Sequence, residues 1–176
     1  MSINLEDEGI YKNPPVQQSM DISLNYLQKE VEDKPFVLRP EYQRGVVWSD
    51  HEQSLFVGFI LEGGETQNMI WNNRGLPDGY AVVDGQQRTI SCLRFMKNEI
   101  PALAHDSNQE LVSFYLDDLD EQSQTMLSTK FTLQVGRMEI PKAQEPEIYL
   151  KVNKRGKEHT DKELQKAQDV LEKYRE

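Results

Sequence analysis

The amino-acid sequence predicts a single α+β domain. Several stretches carry apolar residues at the three-to-four-residue spacing of helices, and shorter stretches between them are continuously apolar or alternate as strands do. A chain of 176 residues can bury one good core but is short for two ordinary domains. Residues 1–18, which mix acidic and turn-forming residues, show neither period. We therefore expect an N-terminal arm at residues 1–18 and one domain over residues 19–176.

The composition is that of a globular protein that stays out of membranes. A mean hydropathy of -0.72 with 37% hydrophobic and 28% charged residues indicates a soluble globular protein rather than a disordered one. No apolar run reaches the roughly 20 residues that span a bilayer, and no basic region followed by an apolar segment opens the chain. The single Cys92 has no partner for an internal disulfide. We expect a cytoplasmic protein.

The charge balance bears on possible partners. The 20 Lys and Arg residues against 30 Asp and Glu residues give a formal net charge of -10. Non-specific nucleic-acid binding depends on Lys and Arg neutralising phosphates, so strong direct DNA binding is not expected. A local basic pocket would suit a small phosphorylated ligand better than a polymer.

The first third of the chain predicts two helices with a short strand between them. Residues 19–33 carry apolar residues at helical spacing and end before Pro35. Residues 36–38 are a short strand that runs into a polar loop, which Pro40 keeps extended. Ser49 and Glu52 form a capping-box pattern that opens the second helix, and Gly63 and Gly64 stop it. The residues predicted on its buried face are Leu55, Phe56, Phe59 and Ile60.

The rest of the chain predicts further strands and helices. Residues 69–71 and 80–83 read as strands joined through turn residues in a hairpin-like connection. A helix follows residues 84–88 and ends near Asn98. Residues 111–116 predict a strand, 120–127 a short helix and 131–135 a half-buried strand. A helix begins at Pro146, and a third capping-box pattern at residues 160–163 opens the last one. The residues predicted on its apolar face are Leu164, Ala167, Leu171 and Tyr174.

Three polar clusters stand at the ends of predicted elements: residues 42–44, 84–88 and 153–156. The sequence lacks the Gly-rich phosphate loops and dinucleotide fingerprint, and its histidines are not spaced for zinc. Arg44, Arg88 and the helix N-terminus after Gly85 could hold a di- or triphosphate, because arginine presents forked donors that match phosphate oxygens. Asp84 could bind Mg²⁺ or orient a water molecule, since phosphates supply the other magnesium ligands.

Each cluster also has a purely structural interpretation. Asp84 and Gln87 fit a capping box at the start of a helix. Arg44 could be a solvated loop charge, and Asn153 a residue at a helix C-terminus. The residues alone leave these alternatives open.

Three stretches resemble a known family: PEYQRGVVW at residues 40–48, VDGQQRT at 83–89 and YLKVNKRG at 149–156. Together they resemble the N-terminal domain of GmrSD-type modification-dependent restriction systems, a domain of the ParB/sulfiredoxin-like superfamily. The resemblance covers roughly residues 21–167. It implies a ParB/sulfiredoxin-like domain, with a small mixed sheet flanked by helices, in proteins that act on DNA.

The resemblance also implies a site that binds a nucleoside triphosphate and supports its hydrolysis. From the residue chemistry above, we expect Mg²⁺ as a further cofactor. Asp84 would be the metal ligand. The resemblance places Asp84, Gln87 and Arg88 at the floor of this site, and we expect them to be its catalytic residues. The nucleotide-binding residues carried over are Gln43, Arg44, Gly85, Gln86, Arg88 and Asn153.

Two departures from the family pattern qualify this interpretation. The family commonly has Asn-x-Gly-Gly in its third motif, whereas Asn153 is followed here by Lys154, Arg155 and Gly156. The chain stops at Glu176 without the His-Asn-His nuclease domain of the full restriction proteins, so we expect a nuclease or other effector to act in trans. Sulfiredoxin activity is not expected, because glutamine stands where sulfiredoxin has its cysteine.

Three functional hypotheses follow. The first is a nucleoside triphosphate-binding domain with hydrolytic activity. The alternative is a non-catalytic interaction or inhibitor module that keeps the fold and binds a protein partner. A ParB-like DNA-binding module is weaker, because of the acidic charge. Whether the protein forms a homodimer is left open.

Overall fold

The computed structural model describes residues 16–153 and 161–174, and it confirms the α+β prediction. The strands within these residues are β1 Val16–Ser23, β2 Phe36–Val37, β3 Met69–Gly75, β4 Gly79–Asp84, β5 Ala102–His105, β6 Leu111–Phe114 and β7 Thr132–Met138. The helices are α1 Leu24–Asp33, α2 Asp50–Leu61, α3 Gln86–Met96, α4 Glu121–Lys130, α5 Glu145–Asn153 and α6 Asp161–Lys173.

Five strands form one mixed sheet in the order β1-β7-β3-β4-β2. The β1/β7 and β3/β4 pairs are antiparallel, whereas the β3/β7 and β4/β2 pairs are parallel. Strands β5 and β6 form a separate antiparallel pair. Because β2 and β4 run parallel, the segments that follow them leave the sheet at the same end.

The sheet is covered on both faces. Adjacent residues of a strand point to opposite faces, and Val82 belongs to one buried cluster while Val83 belongs to the other. Apolar residues of α1, α2, α3 and α4 pack with Val82 in the larger cluster. Helices α5 and α6 pack with Val83 through Tyr149, Leu150 and Leu171. None of the helices in the described parts of the chain is both long and apolar enough to cross a membrane.

The predicted helix over residues 19–33 is wrong in its first turn. Residues up to Ser23 belong to β1, where Ile22 lies opposite Leu133 of β7. Hydrogen bonding to β7 stabilises these residues as a strand in spite of their helical spacing. The Ser23 side chain then caps α1 by accepting from the Tyr26 amide at 3.2 Å. Residues 1–15 of the predicted arm lie outside the described residues, and residues 16–18 are part of β1.

The capping box of α2 is confirmed, but its predicted buried face is partly wrong. The Ser49 side chain accepts from the Glu52 amide, and the Glu52 carboxylate accepts from the Ser49 amide. Leu55 and Phe59 remain 39% and 47% exposed. The helix instead turns Gly58 toward β5, so closely that an added Cβ would lie 1.6 Å from the Leu103 carbonyl oxygen. The residues it buries are Gln53, Ser54, Val57, Gly58 and Ile60.

The β3/β4 hairpin is confirmed, although β3 is longer than predicted. Residues 72–75, predicted as turn residues, continue the strand, because Asn72 and Arg74 both donate to the buried Glu145 carboxylate. Strand β5 was not predicted. The strand at residues 111–116 and the helix at 120–127 are confirmed as β6 and α4, with shifted ends. The third capping box includes Thr160, which lies outside the described residues, while Ala167 and Leu171 are buried as predicted.

Candidate functional site

Described residues from each of the three predicted polar clusters line one cleft at the end of the sheet where β2 and β4 finish. The loop after β2 carries Gln43 and Arg44 to this end, and α3 starts directly after β4. The C-terminus of α5 contributes Asn153. The cleft has a volume of about 520 Å³. Its lining residues are Gln43, Arg44, Trp48, Phe56, Phe59, Thr66, Gln67, Val83, Asp84, Gly85, Gln86, Gln87, Arg88, Tyr149, Val152 and Asn153.

The capping box predicted at Asp84 and Gln87 is wrong. Gly85 is the N-cap residue of α3, and within the described residues no side chain caps the helix. Asp84 lies one residue too early to do so, and its Oδ2 accepts from Arg88 Nη2 at 3.0 Å. Arg88 Nη1 also donates to the Gln67 carbonyl oxygen. The amides of the first turn of α3 therefore lie at the cleft beside an aspartate–arginine pair, and such amides attract anions.

Gly85 is required by both conformation and space. Its φ of 90° is left-handed, and a Cβ added to it would lie 2.4 Å from Met69 Cγ and 2.8 Å from Met69 Cβ. The neighbouring atoms belong to the stem of a buried side chain and cannot swing away. Any other residue here therefore strains the turn that carries Asp84 and Arg88.

We expect Gly85→Ala to destabilise the protein by more than the roughly 1–3 kcal/mol that a left-handed non-glycine residue costs, because the clash with Met69 adds to it. Urea denaturation measures the change. Gly45→Ala is the control, since an added Cβ at Gly45 meets nothing within 4 Å. A Gly85→Ala protein as stable as Gly45→Ala would contradict this explanation of the turn.

Gln87 holds the loop that precedes α2. Its Oε1 accepts from the Val47 and Trp48 amides at 3.1 and 3.2 Å. Its Nε2 donates to the Gly45 carbonyl oxygen at 3.3 Å and to Gln86 Oε1 at 3.1 Å. The structure thus places Gln87, a predicted catalytic residue, where it positions one wall of the cleft.

Gln43 anchors the same loop on the sheet. Its Nε2 donates to the Val82 and Val83 carbonyl oxygens at 2.7 and 2.8 Å, and the residue is 5% exposed. Lys166 of α6 donates to the Gln43 carbonyl oxygen at 2.8 Å. Arg44 follows directly and is half-buried in the cleft lining. Gln43 therefore fixes the position of Arg44 relative to β4.

A buried ion pair connects this loop, β3 and α5. Glu145 is fully buried, and its two oxygens accept from Arg74 Nε and Nη2 at 2.7 and 2.6 Å. Asn72 Nδ2 and the Tyr42 hydroxyl donate to the same carboxylate at 2.7 and 3.1 Å. The hydrogen bond to Glu145 raises the pKa of Arg74. The pKa of Tyr42 is also raised, mainly by burial and next by the negative charge of Glu145. Sequence reasoning missed this network.

Asn153 closes the cleft at the end of α5. It is 8% exposed, and its Nδ2 donates to the Tyr149 carbonyl oxygen one turn earlier at 2.8 Å. This bond satisfies part of the helix C-terminus, as the structural interpretation of Asn153 expects. Residues 154–156 of the third motif lie outside the described residues.

The acidic lining of the cleft is limited to Asp84 among its described residues. The parts of the chain that the structure describes contain no group of three or more His, Cys, Asp or Glu side chains that could hold a metal ion. One carboxylate fits a magnesium ion that takes its other ligands from phosphates and water. Asp84 would hold such an ion only together with a phosphorylated ligand.

The aromatic part of the lining was not predicted as part of a site. Phe56 and Phe59 were predicted to face the core, and Trp48 was noted only within the first motif. The apolar residues of α2 follow its capping box in the spacing of a core-facing helix, and this pattern does not indicate that some of them border a cleft. Only the position of β5 against Gly58 turns this face outward.

Comparison with known proteins gave one family. The family model described as GmrSD restriction endonuclease, N-terminal domain, matches residues 24–174. A search of curated proteins and a search of solved structures each gave no match. The matched range contains all three clusters that meet in the cleft.

Proposed function

Because the chain belongs to the GmrSD restriction endonuclease N-terminal domain family, we propose that it binds a nucleoside triphosphate in this cleft and hydrolyses it. The family gives the context of DNA restriction and phage defence.

The observation that carries the proposal is the meeting of Arg44, Arg88 and the α3 N-terminus in one cleft. Two arginines from separate segments thus border the cleft together with the amides of a helix N-terminus. This grouping suits phosphate groups, because forked arginine donors and helix amides match their oxygens. The cleft volume of about 520 Å³ is within the range of small-molecule sites.

The proposed chemistry is positioning and charge stabilisation, as phosphoryl transfer generally requires. Arg44 and Arg88 would bind the phosphates and offset the charge that builds up on them. Asp84 would hold Mg²⁺ or orient the attacking water, since Mg²⁺ polarises phosphate oxygens when bound. Gln87 and Gln43 act as positioning residues, because their amides hold the loop that carries Arg44 and Trp48.

Phosphate release from each of the four ribonucleoside triphosphates with Mg²⁺ tests the proposal. We expect release from at least one of them, and we expect Asp84→Ala to lower the rate about 100-fold or more. Asp50→Ala is the control, because Asp50 is exposed and pairs with Arg94 outside the cleft. Equal background release from all three proteins would contradict the proposal. Capture of a protein partner together with such background release would select the non-catalytic module instead.

A further inference from the structure

The cleft lining includes three aromatic side chains, those of Trp48, Phe56 and Phe59. The rings of Trp48 and Phe56 pack against each other with centroids 5.4 Å apart and an angle of 53°. Phe59 is 47% exposed. Scattered exposed apolar residues need no explanation, but this ring lies in the same cleft as the two arginines.

The Phe59 ring packs against the backbone of Gly64. The Gly64 amide donates to the Phe59 carbonyl oxygen at 2.9 Å. A Cβ added to Gly64 would lie 2.4–2.5 Å from three atoms of the ring, so the ring packs directly on the glycine backbone. One side of the ring is therefore covered, and the exposed remainder borders the cleft.

The segment after α2 contributes polar residues to the same cleft. Gln67 accepts from Arg88 through its carbonyl oxygen, and both Thr66 and Gln67 line the cleft. The cleft therefore offers charged, polar and aromatic groups to one ligand. A nucleotide carries groups that suit all three, with phosphates, a polar base edge and a flat aromatic base.

We propose that the base of the bound nucleotide stacks on the exposed side of Phe59, and that Thr66 and Gln67 contact the base edge. This inference rests on the proposed function of the cleft. The Phe59 surface would then be the part of the site that binds a nucleotide more tightly than a bare phosphate chain. Stacking would cover apolar surface that the folded protein leaves exposed.

Calorimetric titration with a nucleoside triphosphate and with inorganic tripolyphosphate tests the inference. We expect Phe59→Ala to weaken nucleotide binding about 10-fold or more, the usual effect of removing a stacking ring, and to leave tripolyphosphate binding unchanged. Phe59→Tyr keeps a ring and should bind like wild type. Leu55→Ala is the matched control, because Leu55 lies one turn earlier on α2, is 39% exposed and does not line the cleft.

The outcomes separate the two proposals. Binding of neither ligand by the wild type would overturn the proposed function. Binding of both ligands, with Phe59→Ala as tight for the nucleotide as Leu55→Ala, would overturn the stacking of the base while the phosphate site stands. Melting temperatures check folding, and we expect each variant to melt close to the wild type because the Phe59 ring is exposed.

Discussion

Replacing Arg74 with alanine is expected to destabilise the protein by about 3–5 kcal/mol, because it leaves the Glu145 carboxylate buried without its cation. The side chains of the pair are 6% and 0% exposed, and the two hydrogen bonds between them are both shorter than 2.8 Å. Small domains have only about 5–15 kcal/mol of stability in total. Urea denaturation at neutral pH measures the loss.

Arg94→Ala is the matched control for Arg74. Arg94 pairs with the exposed carboxylates of Asp50 and Glu99 and donates to Gln53, so its removal leaves no buried charge, and surface pairs contribute about 1 kcal/mol or less. The double variant Arg74→Met, Glu145→Leu removes both buried charges and should be more stable than Arg74→Ala. An Arg74→Ala protein no less stable than Arg94→Ala would show that the buried pair does not hold the fold.

The same network supports the cleft. Glu145 begins α5, which carries Tyr149 and Asn153 to the site, and Tyr42 immediately precedes Gln43 and Arg44. One buried carboxylate therefore aligns the elements that carry two of the three polar clusters. Loss of Arg74 should weaken ligand binding as well as stability.

Replacing Arg88 with alanine is expected to lower triphosphate hydrolysis about 100-fold or more, the usual effect of removing one preorganised donor from a charged transition state. Arg88 is held by Asp84 on one side and by the Gln67 carbonyl on the other. Its guanidinium is therefore oriented before the ligand binds. Arg88→Lys keeps the charge but not the fork, so it should recover only part of the activity.

Arg94→Ala serves as the control here too, because Arg94 is on the same helix but outside the cleft. Phosphate release by the three variants and the wild type, measured at equal protein concentration, checks the prediction. Wild-type rates in Arg88→Ala would remove Arg88 from the mechanism. Loss of activity in Arg94→Ala as well would point to damage to α3 instead.

Local sequence patterns were sufficient to predict much of the fold and the polar residues that line the cleft. The Ser49 cap, the β3/β4 hairpin and the helix after residue 85 depend on residues close together in sequence, so their signals are short-range. The three polar clusters could be named because each stands at the end of an element. The first two meet in one cleft because β2 pairs parallel with β4, and α5 brings Asn153 to them by packing against Val83 of β4.

The features that escaped prediction depend on distant partners. Arg74 was interpreted as a turn residue because its partner Glu145 lies 71 positions away. The residues before Leu24 were assigned to a helix because their strand partner is β7, near the other end of the chain. The capping box at Asp84 failed because Gly85 adopts a left-handed conformation, which sequence allows but does not require. Phe59 was assigned to the core because nothing local shows how β5 rotates α2.

Calorimetric titration of the wild type and of Arg88→Ala with the four ribonucleoside triphosphates, in the presence of Mg²⁺, tests the central claim most directly. We predict saturable binding of at least one triphosphate at one site per chain, and a loss of affinity in Arg88→Ala that Arg94→Ala does not share. Absence of binding to all four, or equal affinity in Arg88→Ala, would contradict the assignment of this cleft as a nucleotide site.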